Sequence, residues 1–225
     1  MMTYMEMLTA KKMTLIMSLP SNDMVLAKAA LDAGADVLKI HINLNHHASS
    51  NHFGTLEEEK DKIAEILEIK GDVPIGIVAG QDVNAVEKVI PDLEELGFEF
   101  VSLYAHHAPL CLSDSHLKKM IAFDFSYDLK DLAYIDADVF EASIMDPTTY
   151  GQRLSLRDLL LYRKARENTE LPIVVPTQRY ILPEEVHVLQ QVGINGLMLG
   201  AVVTGKTADS VYKTVAAFRK EIERI

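Results

Sequence analysis

Residues 171–205 read "LPIVVPTQRYILPEEVHVLQQVGINGLMLGAVVTG" and contain a complete strand–helix–strand unit. The runs 172–176 and 196–202 are short and aliphatic, as expected of strands that are buried on both faces. Between them, residues 182–193 have apolar side chains at helical spacing and end at a glycine, Gly193. This order predicts a parallel sheet with helices packed on it.

The same alternation continues along the whole chain. Eight short apolar runs are predicted as strands, at 14–19, 36–43, 74–79, 98–104, 120–126, 138–144, 172–176 and 196–202. Amphipathic segments separate most of them, with candidate N-caps at Asn22, Thr55 and Ser155. The order predicts an α/β fold, a (β/α)8 TIM barrel formed by a single domain of residues 1–225, with a short N-terminal helix at 3–11 that closes its bottom. A doubly wound open sheet is the alternative, because periodicity does not show whether the strands close.

The composition excludes several classes of protein. A formal charge of −11 argues against a nucleic-acid binder, because such binding relies on clustered Lys and Arg. The single cysteine, Cys111, rules out an internal disulfide and favours a reducing compartment. No apolar run approaches the ~20 residues of a membrane span, and the first residues lack the apolar core of a signal peptide. We therefore expect a cytoplasmic protein with no membrane or nucleic-acid partner.

Three predicted strands carry charged or titratable residues on the face that should point into the barrel. Strand two places Lys39, His41 and Asn43 on one face, while strands five and six add Asp124 and Glu141. Such residues reach the active-site mouth when they lie near the carboxyl ends of barrel strands. Burial of an unpaired charge is costly, so Lys39, Asp124 and Glu141 are expected to pair and to have perturbed pKa values. An ion-pair layer with a purely structural role is the alternative.

These residues form the predicted catalytic set. Lys39 and Glu141 are the candidate acid and base, Asp124 is the orienting carboxylate, and His41 acts beside Lys39. Further polar residues in or after the strands are predicted to contact the substrate, namely Ser18, Asn43 and His106. A long loop after strand two, which carries His46, His47 and His52, is expected to cover the mouth.

The segments after strands seven and eight have the features of a phosphate site. Gly200, Ala201, Thr204 and Gly205 lie between a strand and a helix start, where backbone N–H groups can approach an anion. Arg179 follows strand seven and supplies a positive charge. Together these residues predict a phosphorylated small-molecule substrate.

Residues 171–205, with VPIGIVAGQD (73–82) and MIAFDFS (120–126), resemble the ribulose-phosphate-binding barrel superfamily, and within it most closely the N-acetylmannosamine-6-phosphate 2-epimerase family. The resemblance spans most of the chain and implies a barrel with a phosphate site after strand eight. Asp124 and Ser126 match the family pattern. The chain departs from it where the family has a catalytic lysine, a glutamate and an arginine, because those positions hold Ala79, Thr177 and His41.

The sequence HINLNHHASSNHFG (41–54) is also superficially similar to the strand-two segment of ribulose-phosphate 3-epimerases. In that comparison His41 matches a metal-binding histidine, whereas Asn43 replaces an aspartate. No metal is favoured, but a divalent metal held by His41 with His106, Asp124 or Glu141 remains an alternative.

Three functional hypotheses follow. The first is an enzyme that abstracts a proton next to a carbonyl of a small phosphorylated sugar or related metabolite, as isomerase, epimerase or aldolase-type lyase, with no required cofactor; a Schiff base on Lys39 is a variant of it. The second is a barrel that has lost turnover and binds a phosphorylated effector. The third is a metal-dependent hydrolase or lyase that uses His41. Association into a homodimer is a further expectation.

Overall fold

The computed structural model describes residues 2–10 and 12–225 and shows a closed barrel of eight parallel strands. The barrel strands are β1 Thr14–Ser18, β2 Val37–His41, β5 Ile75–Val78, β6 Phe100–Tyr104, β7 Lys118–Ala122, β8 Val139–Glu141, β9 Ile173–Pro176 and β10 Gly196–Leu199. They are hydrogen-bonded in the order β1-β10-β9-β8-β7-β6-β5-β2, and β2 pairs with β1 to close the ring. The predicted barrel is confirmed, and the open-sheet alternative is wrong.

Helices cover the outside of the barrel and one closes its bottom. Their bounds are α1 Tyr4–Thr9, α2 Met24–Asp32, α3 Leu56–Ile69, α4 Val83–Glu95, α5 Leu156–Glu167, α6 Val186–Gln191, α7 Ala201–Thr204 and α8 Ala208–Ile222. Short 3-10 helices at Ala105–His107, Leu110–Asp114 and Leu129–Ala133 occupy the brief connections on either side of β7.

Two of the three predicted N-caps are confirmed. The hydroxyls of Thr55 and Ser155 accept hydrogen bonds from the amides of Glu58 and Asp158, and the carboxylate of each of those acids accepts a hydrogen bond from the cap amide. The cap of α2 is Asp23 rather than Asn22. The Asn22 side chain instead holds β2, since its Nδ2 donates to the His41 carbonyl and its Oδ1 accepts the His41 amide.

The predicted N-terminal helix packs into the bottom of the barrel. The ring of Tyr4 stacks on that of Phe100 with centroids 4.3 Å apart, and Leu8 is fully buried in the same interior cluster as Ile16 and Val174. A larger apolar layer lies between the outer faces of the strands and the surrounding helices. The lower interior is therefore filled by side chains, and only the upper end is open for a ligand.

The segment after β2 is more ordered than the predicted loop. Leu44–His46 (β3) and Asn51–Phe53 (β4) form an antiparallel hairpin, in which Asn45 pairs with His52. The Asn43 amide donates to the Gly54 carbonyl and so closes the base of the hairpin. Asn51 Nδ2 donates to the Pro20 carbonyl and so ties the hairpin to the loop after β1. No helix within the described ranges is long and apolar enough to cross a membrane.

Candidate active site

A cavity of about 200 Å³ opens at the carboxyl ends of the barrel strands. Its floor includes Ser18, Lys39, Ser102 and Glu141, and the hairpin residues Leu44 to Ala48 form part of its wall. The remaining lining comes from the ends of strands, including His41 and Tyr104, and from the segments that follow strands, including Gln81, His107, Tyr150, Thr177, Gln178 and Gly200. The volume suits a small metabolite rather than a drug-sized ligand, for which pockets of at least ~300 Å³ are usual.

The floor of the cavity contains a hydrogen-bonded cluster of Lys39, Ser102 and Glu141, contributed by β2, β6 and β8. Lys39 Nζ donates to Ser102 Oγ at 3.3 Å, and Ser102 Oγ donates to Glu141 Oε2 at 2.7 Å. Lys39 Nζ also lies 3.5 Å from Glu141 Oε2, while Ser143 Oγ donates to Glu141 Oε1 at 2.9 Å. The cluster thus joins a potential base to a potential acid through one hydroxyl.

Burial dominates the electrostatics of this cluster. Lys39, Ser102 and Glu141 are at most 7% exposed. Burial lowers the pKa of Lys39 below its usual value of 10.5, and the Glu141 carboxylate offsets part of that change. A lysine with a lowered pKa holds more of its amine in the neutral form at a given pH, which is the form that acts as base or nucleophile. The predicted pairing of Lys39 with Glu141 and the perturbed pKa of Lys39 are both present.

His41 lies beside this cluster, as predicted, and is buried in the wall. Its Nε2 is 3.3 Å from Ser18 Oγ, and its ring lies 4.5 Å from that of His46 and 4.7 Å from that of Phe53. Burial, His46 and Lys39 together hold the pKa of His41 well below 6.5. His41 is therefore a neutral ring near pH 7, and it can exchange hydrogen bonds but adds no positive charge.

The hairpin histidines differ in their surroundings. His46 Nδ1 is 2.8 Å from Ser49 Oγ, and burial is the main cause that lowers the pKa of His46 to about 4. His47 packs edge-on against Tyr150 with ring centroids 5.0 Å apart. His52 pairs with Asn45 and does not line the cavity. The hairpin therefore brings two histidines, His46 and His47, to the mouth.

Two tyrosines complete the wall. Burial is the main cause that raises the pKa of Tyr104 above 10 and that of Tyr150 to about 12. Both phenols consequently keep their protons near pH 7 and can donate hydrogen bonds to a ligand oxygen.

The predicted orienting role of Asp124 does not fit its position. Because β7 ends at Ala122, Asp124 lies in the following turn, where its Oδ1 accepts Ser126 N at 2.8 Å and Ser126 Oγ at 2.6 Å. It does not line the cavity and does not join Lys39 and Glu141. His106 is also displaced: its Nδ1 lies 3.1 Å from Tyr127 Oη at the exposed rim, and the neighbouring His107 faces the cavity instead.

Two predicted substrate contacts have structural partners instead. Arg179 donates to Asp158 Oδ1 at 3.0 Å and to the Thr149 carbonyl, so its guanidinium links α5 to the loop after β8. Asn43 has a positive φ of 55°, and its Nδ2 donates to the Ala79 carbonyl at 3.1 Å. Neither residue lines the cavity, so the structure does not place Asn43 or Arg179 where the predicted contact with the substrate would occur.

The predicted phosphate segment lies partly at the cavity. Gly200 lines it, but its amide donates to Thr177 Oγ1 at 2.9 Å, and Thr204 is buried with its hydroxyl bonded to the Gly200 and Gly205 carbonyls. Ala201 begins the four-residue helix α7, and Gly205 ends it with φ of 66°. Only the Gly200–Ala201 end of the segment is therefore placed to approach a ligand.

The alternative metal site at His41 has no supporting geometry. In the part of the chain that the structure describes, no group of three or more His, Cys, Asp or Glu side chains is placed to hold a metal ion. Asp124 and His106, two of the proposed co-ligands, lie outside the cavity lining.

Sequence reasoning missed Ser102, the central residue of the cluster. The signal was present, since Ser102 is a small polar residue on the inward face of a strand whose other residues are mainly apolar. Its partners could not be identified in the same way, because the bonds that join β2, β6 and β8 span 39 to 63 residues of sequence.

Comparison with solved structures shows that the fold is shared with known barrels at low sequence identity. Thiamine phosphate pyrophosphorylase from Pyrococcus furiosus is 15% identical, with 95% of this chain and 96% of that chain covered and a TM-score of 0.66. Tryptophan synthase from M. tuberculosis is 13% identical, with 94% of each chain covered and a TM-score of 0.70. Phosphoribosyl anthranilate isomerase from Thermus thermophilus is 14% identical, with 92% and 99% covered and a TM-score of 0.66. No protein-family model and no curated protein matches the sequence.

Proposed function

We propose that this protein is an enzyme that transfers a proton next to the carbonyl group of a small metabolite, as an isomerase, an epimerase or an aldolase-type lyase. The observation that carries the proposal is the Lys39–Ser102–Glu141 cluster, buried at the floor of a cavity at the carboxyl ends of barrel strands. Polar residues at that end of a barrel belong to the active site in characterised enzymes of this fold.

The cluster contains the groups that such a reaction needs. A neutral Lys39 amine or the Glu141 carboxylate can accept the proton from carbon, and Ser102 fixes the two groups relative to each other. The negative charge that develops on the carbonyl oxygen requires hydrogen-bond donors in a site that excludes water. The phenols of Tyr104 and Tyr150 line the same cavity and are protonated, so they can supply these donors.

A phosphate on the substrate remains part of the proposal at one end of the cavity. Gly200 lines the cavity and α7 begins at Ala201, so the first backbone amides of α7 follow directly after a residue of the cavity lining. Arg179 has no part in this site because Asp158 and the Thr149 carbonyl hold its guanidinium. Two of the similar structures, thiamine phosphate pyrophosphorylase and phosphoribosyl anthranilate isomerase, are named for phosphate-containing compounds. Such a substrate is consistent with these similarities and with the resemblance to N-acetylmannosamine-6-phosphate 2-epimerases.

The test is solvent exchange at carbon. The protein would be incubated in D2O with short hydroxyketones, hydroxyaldehydes, sugars and their phosphates, and deuterium at the carbon next to the carbonyl would be measured by NMR. We expect exchange with at least one compound, and a loss of at least ~100-fold in Lys39→Met because acid–base catalysis contributes about 10² to 10⁴. Lys28→Met, at an exposed lysine, is the matched control.

Two results would contradict the proposal. One is exchange at the wild-type rate in Lys39→Met. The other is the absence of exchange with every compound, including any that raises the melting temperature, which would favour a barrel that only binds its ligand.

A further inference from the structure

The few charged side chains that line the cavity limit the reactions that the site can support. Histidines aside, only Lys39 and Glu141 carry a formal charge among the described residues that line the cavity. They lie 3.5 Å apart and balance each other. Burial lowers the pKa values of three of the lining histidines, His41, His46 and His107, so these three add no positive charge near pH 7. The floor of the cavity thus offers one ion pair with no net charge.

Lys39 is placed to react with a ligand as well as to exchange protons with it. Its Nζ is held by Ser102 at 3.3 Å and by Glu141 at 3.5 Å, which account for two of the three donors of an ammonium group. The same side chain lines the cavity. Once a proton has passed to Glu141 through the Ser102 hydroxyl, the amine lone pair faces a small enclosed space with a carboxylic acid beside it.

We propose that Lys39 forms an imine with an uncharged carbonyl segment, that of a hydroxyketone or hydroxyaldehyde, bound in this cavity. This inference rests on the proposed function and adds that the reaction passes through a covalent intermediate on Lys39.

The covalent step balances within the cluster. The ammonium of Lys39 first gives one proton to Glu141 through Ser102, and the amine nitrogen then attacks the carbonyl carbon. The C–N bond forms while the carbonyl electron pair moves to oxygen, which takes the proton lost by nitrogen and gives a carbinolamine. Glu141 then protonates the hydroxyl, the C–O bond breaks, and water leaves. The products are an iminium cation on Lys39, the Glu141 carboxylate and one water molecule.

This balance also selects the substrate class. The site holds one positive and one negative charge before the reaction and the same two charges after it. An uncharged carbonyl segment therefore needs no further countercharge at any stage. A 2-keto acid would place a carboxylate next to the carbonyl at the cavity floor, away from the backbone amides proposed for a phosphate. Apart from histidines, the one cation of the described lining is Lys39, which Glu141 already pairs, so the desolvation of that carboxylate would go uncompensated.

The test is reductive trapping on the wild-type protein. The protein would be incubated briefly with dihydroxyacetone or with pyruvate, reduced with sodium borohydride, and digested for mass spectrometry of each lysine-containing peptide. The exposed residues Lys164 and Lys206 are internal controls for general amine reactivity. Lys39→Arg keeps the positive charge but lacks the nucleophilic amine.

We expect dihydroxyacetone to label Lys39 on the order of tenfold or more above Lys164 and Lys206, because binding in the cavity holds the carbonyl group beside the Lys39 amine. Pyruvate should label Lys39 less than dihydroxyacetone does, and the Lys39 adduct should be absent from Lys39→Arg. If the Lys39→Arg variant does not fold, the comparison of Lys39 with Lys164 and Lys206 in the wild-type protein still tests the imine.

Labelling of the lysines in the order of their surface exposure would overturn the proposed imine. Stronger labelling of Lys39 by pyruvate than by dihydroxyacetone would overturn the proposal that the carbonyl segment of the substrate is uncharged. Exchange of deuterium that depends on Lys39 without any trapped adduct would remove the imine and leave the proposed proton transfer standing. Failure of both experiments would remove both.

Discussion

At the scale of single residues, burial decides which polar groups belong to the cavity. Lys39 and Glu141 share a hydroxyl between them, whereas Asp124 accepts bonds from its own turn and Arg179 is held by Asp158. The alternation of inward and outward side chains along a strand could predict Lys39 and Glu141, because both residues lie within strands. It could not place Asp124, because β7 ends two residues before it and the period of two no longer applies.

The first residue-scale prediction concerns acid stability. His46 has a pKa of about 4 in the folded protein against about 6.5 when unfolded, so between these values the unfolded chain binds a proton that the folded chain does not. Stability is therefore lost as pH falls from about 6.5 to about 4 and levels off below. At about 1.4 kcal/mol per unit, His46 accounts for roughly 3 kcal/mol of this loss.

Urea unfolding from neutral pH to pH ~4 would measure this term. His46→Asn, which keeps a polar group for Ser49, should lose less stability over that range than the wild type. His116→Asn, at an exposed histidine, is the control and should follow the wild type. Parallel curves for His46→Asn and the wild type would contradict the assignment.

The second residue-scale prediction separates a structural from a substrate-binding role for Arg179. Arg179→Met leaves the Asp158 carboxylate buried without its cation, which typically costs about 3 to 5 kcal/mol. Arg153→Met breaks the more exposed pair with Glu185 and should cost less than about 1 kcal/mol. Equilibrium unfolding gives both values. Unchanged stability with a large loss of ligand binding in Arg179→Met would return this residue to the substrate site.

At the scale of elements, packing at the bottom of the barrel depends on the fit between β5, β6 and α1. Gly76 of β5 pairs directly with Phe100 of β6, and the Phe100 ring carries Tyr4 of α1 on its face. The sequence predicted each of these elements separately from its apolar pattern. It could not predict the stack, because the sequence does not give the strand register, and the register decides whether Gly76 lies beside the Phe100 ring.

Gly76→Ala should therefore disturb the packing of α1. A Cβ at this position would overlap the Phe100 ring, which is fully buried, so the ring cannot move without shifting Tyr4. Overpacking of this kind costs about 1 to 3 kcal/mol. The free energy of unfolding would be measured for Gly76→Ala, Phe100→Leu and the double variant. We expect the double variant to be more stable than the sum of the two single effects, and strict additivity would contradict the proposed contact.

At the scale of the whole molecule, eight repeated units were readable from the sequence, and closure of the barrel was not. Each unit shows its own strand periodicity and most show helix periodicity, but the pairing of β1 with β10 joins residues 182 positions apart, such as Thr14 and Gly196. The candidate site depends on that closure. Ring closure brings Lys39, Ser102 and Glu141 together from three strands, so a sequence pattern could nominate two of them but not their geometry.

The rate of deuterium exchange in Glu141→Gln tests the central claim most directly. The amide keeps the shape of the side chain, and its oxygen can accept a hydrogen bond from one of the Ser102 and Ser143 hydroxyls while its NH2 group donates to the other, so the protein should still fold. Its melting temperature should fall, because Lys39 loses its buried counterion. The amide cannot take up a proton, so exchange at the carbon next to the carbonyl should fall by at least ~100-fold. A folded Glu141→Gln protein that exchanges at the wild-type rate would contradict the account.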